Sequence, residues 1–255
     1  MGLFDRTASK ASKLRDRTAL LLPSDPGDAF MDTIRLYDPD VRSWPDRLIF
    51  PNGVLLFGPL PVTQKLEQQA ELPPGTAVAY YTGIAVQGHR DRRADEATQK
   101  DGDLLAQALA DRLGGTVRYA GPPPDPALAP SVWSEQDLSP DQVIEVVQPF
   151  DEGHLKVQDR TENAYMVHGE GGYIGLTYWG PLYYFEKDAP PALGALRSRR
   201  LHHWDLTLDR PRKAVASELA IQLGRAALAL ASRCGGVALD EYGFPIRDPE
   251  DLLPR

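Results

Sequence analysis

The sequence predicts an α+β fold of ferredoxin-like, split β-α-β type, with duplicated strand-helix-strand units and an inserted helix and β-hairpin. Three observations predict it. Residues 227–236 (ALALASRCGG) and 106–115 (AQALADRLGG) agree at seven of ten positions without a gap. Each closes an Ala- and Leu-rich helical stripe with Gly-Gly and runs into a short β-type segment, 237–242 and 116–119. Each follows a β-type run, 201–208 and 76–87. The offset of 121 residues that superposes the Gly-Gly pairs also lays 206–208 over 85–87, so one register is expected through both units.

The elements follow in chain order. Residues 1–22 are expected to be a flexible or helical tail, since 1–18 carry five Lys or Arg and two Asp. A first α+β unit is expected over 23–120. It opens on a Pro-, Asp- and Gly-rich loop with one helical turn at 29–37. A hairpin follows at 48–50 and 54–57, turned by Pro51-Asn52-Gly53. Residues 62–71 have the length of a short helix. In 76–87, Val78, Tyr80, Thr82, Ile84 and Val86 alternate with Ala77, Ala79, Tyr81, Gly83 and Ala85. Both faces are apolar, as a strand covered on both sides requires. In 97–113, Leu105, Leu109 and Leu113 stand four apart on one helix face, and Gly114 supplies the left-handed end.

Residues 121–138 predict a Pro-rich connector, and 139–243 a second α+β unit. Ser139-Pro140 is an N-cap followed by a first-turn proline. The runs 164–168 and 173–178, joined by Gly-Glu-Gly-Gly, predict an aromatic hairpin. A strand at 201–208 and a helix from Pro211 with Val215, Leu219, Leu223, Ala226 and Leu230 on one stripe lead to Gly235. Residues 244–255 are expected as a surface tail.

Composition bounds the function. Apolar content of 42% and charged content of 25% are those of a globular chain. A net charge of −8 and a pI of 5.2 oppose nucleic-acid binding. No apolar run reaches the roughly 18 residues of a membrane span. Peripheral membrane contact is left to Leu3 and Phe4 with the basic residues of 1–18. One cysteine, Cys234, excludes an intrachain disulfide and a Cys-based zinc site. It occupies the position of Leu113 in the repeat and is expected to be buried. Arg outnumbers Lys 21 to 7, as GC-rich codons give, so a bacterial source is expected, and the single cysteine fits its reducing cytoplasm. No cofactor and no metal is expected.

Common catalytic signatures are absent or broken. His89-Arg90-Asp91 lacks the Leu and Asn that complete a kinase catalytic loop. Two-histidine phosphoesterases carry a His-x-Thr in each half, but the residue two before Thr207 is Asp205. Two surface signals remain. Tyr165, Tyr173, Tyr178, Trp179, Tyr183, Tyr184 and Phe185 put seven of the chain's 21 aromatics into 21 residues. Arg197, Arg199 and Arg200 precede His203. A non-catalytic protein-binding or assembly role is therefore expected, through a protein partner or self-association. Its binding residues would be Tyr178, Trp179, Tyr183, Tyr184, Arg199 and Arg200. The alternative is a hydrolase of a phosphorylated or acidic small molecule. It would use His203 and Asp205 on one strand face, with an Arg cluster to hold the anion.

Overall fold

The computed structural model of the chain describes residues 6–85, 92–124, 127–182, 189–208 and 215–253. It is an α+β structure with two antiparallel six-stranded sheets, one in each of two compact units, 1–124 and 125–254.

The first unit runs α1 (Arg6–Asp16), β1 (Ala19–Leu22), α2 (Asp28–Tyr37), β2 (Arg42–Trp44), β3 (Arg47–Ile49), β4 (Val54–Pro61), α3 (Gln64–Ala70), β5 (Val78–Ile84), α4 (Arg92–Leu113) and β6 (Thr116–Arg118). Its strand order is β2-β3-β4-β5-β1-β6. The second runs β7 (Ser131–Ser134), α5 (Pro140–Val147), β8 (His154–Arg160), β9 (Ala164–Glu170), β10 (Ile174–Leu182), a 3-10 segment (Pro191–Ser198), β11 (Leu201–Leu208), α6 (Ser217–Cys234) and β12 (Val237–Leu239). Its order, taken from β8, is β8-β9-β10-β11-β7-β12. From β1 and from β7 onward, the two units therefore follow one element order and one strand order.

That correspondence corrects the expected boundaries. The helix and hairpin of 140–182 are not an insertion. They are the front half of the second unit, with counterparts in α2 and β2 to β4. Within the expected tail, Arg6–Asp16 is helical, but the stretch that follows it is an interior strand. Ala19–Leu22 is buried along its whole length between β5 and β6. Four apolar residues in a row show no alternation because both faces are covered. The expected connector contains β7, which lies between β11 and β12. Residues 244–252, expected as a surface tail, send three side chains into the core. Phe244, Ile246 and Leu252 are buried, and Asp240 Oδ1 accepts the backbone N–H groups of Tyr242 and Phe244.

The Gly-Gly pairs end α4 and α6 in the same way. Gly114 and Gly235 take φ of +68° and +62°, the left-handed conformation that favours glycine. Gly115 N–H donates to Ala110 O at 2.9 Å and Gly236 N–H to Ala231 O at 2.8 Å. The second glycine of each pair is needed for space. A Cβ at Gly115 would meet Leu21 O at 2.7 Å, and one at Gly236 would meet Trp133 O at 2.4 Å. Leu21 and Trp133 lie on β1 and β7, the strands that β6 and β12 join next.

A second correspondence was not predicted. Phe57-Gly58-Pro59-Leu60 and Trp179-Gly180-Pro181-Leu182 each carry a β-bulge between the first and last residue. Phe57 pairs with Tyr81, and Trp179 with His203, an offset of 122 for both strands. The helix ends correspond at 121. The single register expected through both units is thus broken by one residue between strand and helix. A one-residue slip within a strand would reverse its faces, so the change falls outside it.

In the first unit α2 and α4 cover one face of the sheet and α1 and α3 the other, whereas in the second α5 and α6 cover one face. In the second unit, Val143 and Val147 of α5 and Leu223, Ala227 and Leu230 of α6 bury Val167, Leu176, Trp204 and Leu206. Ser139 caps α5 with a full capping box to Gln142. Alanine at Ser139 is expected to cost about 1 kcal/mol in a urea melt.

Candidate functional site

Strand β11 alternates, so its side chains fall on two faces. Paired residues on neighbouring strands share a face, and this sorts the candidates.

On the helix-covered face, Tyr165, Tyr178 and Trp204 form a cross-strand row. Tyr165 and Tyr178 stack at 4.5 Å between centroids, and Trp204 Nε1 donates to Tyr165 Oη at 3.1 Å. Burial pushes the Tyr165 phenol up to about 12, with the Trp204 hydrogen bond opposing it. Tyr178, expected at a binding surface, is buried. Its hydroxyl contacts His202 Nδ1 at 2.8 Å and donates to Asp137 Oδ1 at 3.2 Å. Burial and then the nearby Asp137 raise the Tyr178 pKa, so this hydroxyl stays protonated.

His202 belongs to this buried network. Burial lowers its pKa below the ordinary 6.5, against the pull of Asp137 and with the help of Arg200. The unfolded imidazole then binds more protons than the folded one just below pH 6.5, so acid works against the fold. Stability is expected to fall as pH drops below 6.5, and His202→Gln should flatten that slope in urea melts at a series of pH values.

The opposite face holds the other candidates. Trp179, His203 and Trp133 form its central row. The His203 ring stacks on Trp133 at 3.8 Å with 14° between planes. Its Nε2 stands 2.8 Å from Asp205 Oδ1, and the Trp179 indole N–H donates to Asp205 Oδ2 at 3.0 Å. One carboxylate therefore accepts the tryptophan N–H and lies against the histidine ring nitrogen. The His203 side chain is only 12% exposed, so this histidine is largely shut off from solvent. Trp179 is 44% exposed and Met166 is 50% exposed. Met166 was not singled out from sequence. Its signal is a lone apolar residue alternating with buried Tyr165 and Val167.

The arginines separate. Arg197 is buried and donates from Nε to Ala189 O at 3.2 Å. Arg199 meets both Glu135 oxygens from one nitrogen, at 3.0 and 3.1 Å. Arg200 is exposed near the His202 and Tyr178 network. Tyr183 and Tyr184 lie outside the described residues, as do Phe185, Leu3 and Phe4.

No protein-family model, curated protein or solved structure matches the chain. The site therefore has to be judged by its own chemistry. Among the described residues, no group of three His, Cys, Asp or Glu is placed to hold a metal ion. No helix among them is long and apolar enough to cross a membrane. Cys234 is buried, and burial pushes its thiol pKa up, away from the thiolate a nucleophile needs.

Proposed function

We propose that this is a non-catalytic binding or assembly protein of a bacterial cytoplasm, made of two duplicated units with a ferredoxin-like core. Its contact surface is the open face of the second sheet, centred on Trp179 and Met166. The matching strand orders, Gly-Gly helix ends and Gly-Pro-Leu bulges support the duplication. If β2 and β3 are set aside, the remaining strands of the first unit run β4-β5-β1-β6. With α2 and α4 as crossovers, that is the split β-α-β arrangement.

The observation that carries the binding reading is the exposure of Trp179 on a fixed frame. Its indole is held by Asp205, which lies in turn against His203. A large aromatic already ordered before binding loses little freedom on contact, the property of an interface anchor. The test is purification of the tagged chain from its native cell at low salt. A stoichiometric protein companion should be present with the unaltered chain and with Trp44→Ala. It should be lost with Trp179→Ala, through a penalty of about 2 kcal/mol or more. Companions that ignore Trp179→Ala would refute the assignment of this face.

A second reading rests on the 2.8 Å approach of His203 to Asp205. A hydrolase could draw a proton through that pair. The arginines that would hold the anion are engaged elsewhere, Arg197 buried on Ala189 O and Arg199 on Glu135, which leaves this reading the weaker. His203→Ala would abolish turnover in a hydrolase and would leave the companion of a binding protein in place.

A further inference from the structure

We infer that the open face of the second sheet receives an amphipathic α-helix of a partner protein, with Ala and Leu against the sheet and an Arg or Lys reaching Asp205. This rests on the proposed role of that face and names the class of its occupant.

The first unit supplies the comparison. Its corresponding face is covered by α1 and α3, through Ala11 and Leu14 of α1 and Leu66 and Ala70 of α3. The cross-strand pair beside the bulge, Phe57 and Tyr81, is stacked at 4.9 Å. Lys13 Nζ and Arg17 Cζ, from α1 and the residue just after it, each lie 5.8 Å from the Tyr81 ring centroid. A cation over a ring is attracted by the negative π face.

In the second unit, Trp179 and His203 occupy the places of Phe57 and Tyr81. The 3-10 segment Pro191–Ser198 follows β10 as α3 follows β4, and its Leu193 packs with Trp133, Leu201 and Leu239. Among the described residues, no helix of this unit precedes β7 as α1 precedes β1. The part of the face left uncovered contains Trp179 and Met166.

Charge identifies the missing element further. At the offset of 122, Asp205 corresponds to Gly83. A Cβ built on Gly83 would lie 2.7 Å from Arg17 Nη1, so a guanidinium fills the space above that glycine. On the second sheet a carboxylate grows from the same position. A helix seated as α1 is seated would bring a cation from the position of Arg17 onto Asp205 and beside the Trp179 ring. Ala11 and Leu14 lie on one face of α1 and Arg17 directly follows its last residue, so the expected partner motif is Ala-x-x-Leu-x-x-Arg, with the cation at the C-terminal end of the helix.

The probe is a hydrocarbon-stapled peptide of residues 6–18, titrated into the full chain. The readout is the methyl spectrum of the protein labelled with 13C at its three methionines. Saturable displacement of the Met166 methyl is expected, with Met31 in α2 unmoved. Trp179→Ala, or Arg17→Glu in the peptide, should weaken binding at least tenfold. Asp205→Arg should restore binding of the Arg17→Glu peptide and not of the original. The inference is overturned if Met166 does not move at about 1 mM peptide, a very weak affinity. It is equally overturned if charge reversal has no effect. A partner captured through Trp179 alongside a failed peptide would refute the helix and leave the contact face standing.

Discussion

Alanine at Gly236 is expected to destabilise the second unit by about 3 kcal/mol, and alanine at Gly115 to do nearly the same to the first. The added methyl would stand 2.4 Å from Trp133 O in one case and 2.7 Å from Leu21 O in the other. At Gly115 the Leu22 Cδ2 methyl is also near, at 2.6 Å, and can swing away, but the two oxygens cannot. Each is the carbonyl of a central strand, and moving it disturbs the whole sheet. The neighbouring glycines should behave differently. Gly114 and Gly235 have open space where a Cβ would go, and their positive φ sets the only cost, about 1 kcal/mol. Urea melts of the four alanine variants check this. The second glycine of each pair should be the more damaging to replace, by about 2 kcal/mol. Equal losses at all four would show that the close approach to β1 and β7 is not what fixes these residues.

The second large effect separates two tryptophans on neighbouring strands that face opposite sides of the second sheet. Trp204→Ala is expected to cost about 4 kcal/mol. Trp204 is fully buried, lies in the core under α5 and α6, and its N–H satisfies Tyr165 Oη. Trp179→Ala removes a half-exposed ring and one hydrogen bond to Asp205, and is expected to cost about 1 kcal/mol or less. The same two variants should rank in the opposite sense for function. Trp179→Ala should fold and lose its partner. A melt that placed the two losses together would mean that Trp179 belongs to the core, and the contact face would lose its anchor.

Much of this architecture is written in residue types with a clear period. The alternation of 201–208 marks β11 to the residue, and Pro51-Asn52-Gly53 marks the turn between β3 and β4. The Gly-Gly pairs mark both long helices, and Ser139-Pro140 marks α5. What stayed hidden has a common cause. Strands β1, β2 and β7 are three or four residues long. Ala19–Leu22 is apolar on both faces, and a run so short has no period to detect. Because β1 and β7 lie inside their sheets, missing them made the front of each unit look like a tail, a linker or an insertion. Strand β8 did carry a signal, with Leu155 and Val157 alternating with polar residues. The repeat is visible at the helix ends, where one offset holds without a gap. At the Gly-Pro-Leu bulges the offset is one residue different, and an ungapped comparison passes over them.

The candidate site was legible in its parts. The face shared by His203 and Asp205 follows from strand alternation alone. Tyr178 and Trp179 are adjacent in an aromatic-rich segment, and composition cannot tell them apart. Neighbouring residues of a strand point to opposite faces, so one is core and the other surface. Which face is open depends on helices from elsewhere in the chain, α5 and α6 on one side and the 3-10 segment on the other. The place of Asp205 against both His203 and Trp179 likewise needs the pairing of β10 with β11, which brings residues 26 apart in sequence to 3.0 Å.

Photo-crosslinking from the sheet face is the most direct test of a contact surface there. Benzoylphenylalanine would replace Met166, its cross-strand neighbour Thr177 or, as a control, the exposed Glu218 at the start of α6, with Trp179 left in place. Each variant would be irradiated in the native cell at natural abundance. Positions 166 and 177 should yield the same discrete protein adduct, and position 218 should not. No adduct from 166 and 177, or an identical adduct from 218, would contradict the assignment of the second sheet's open face as the surface through which this protein works.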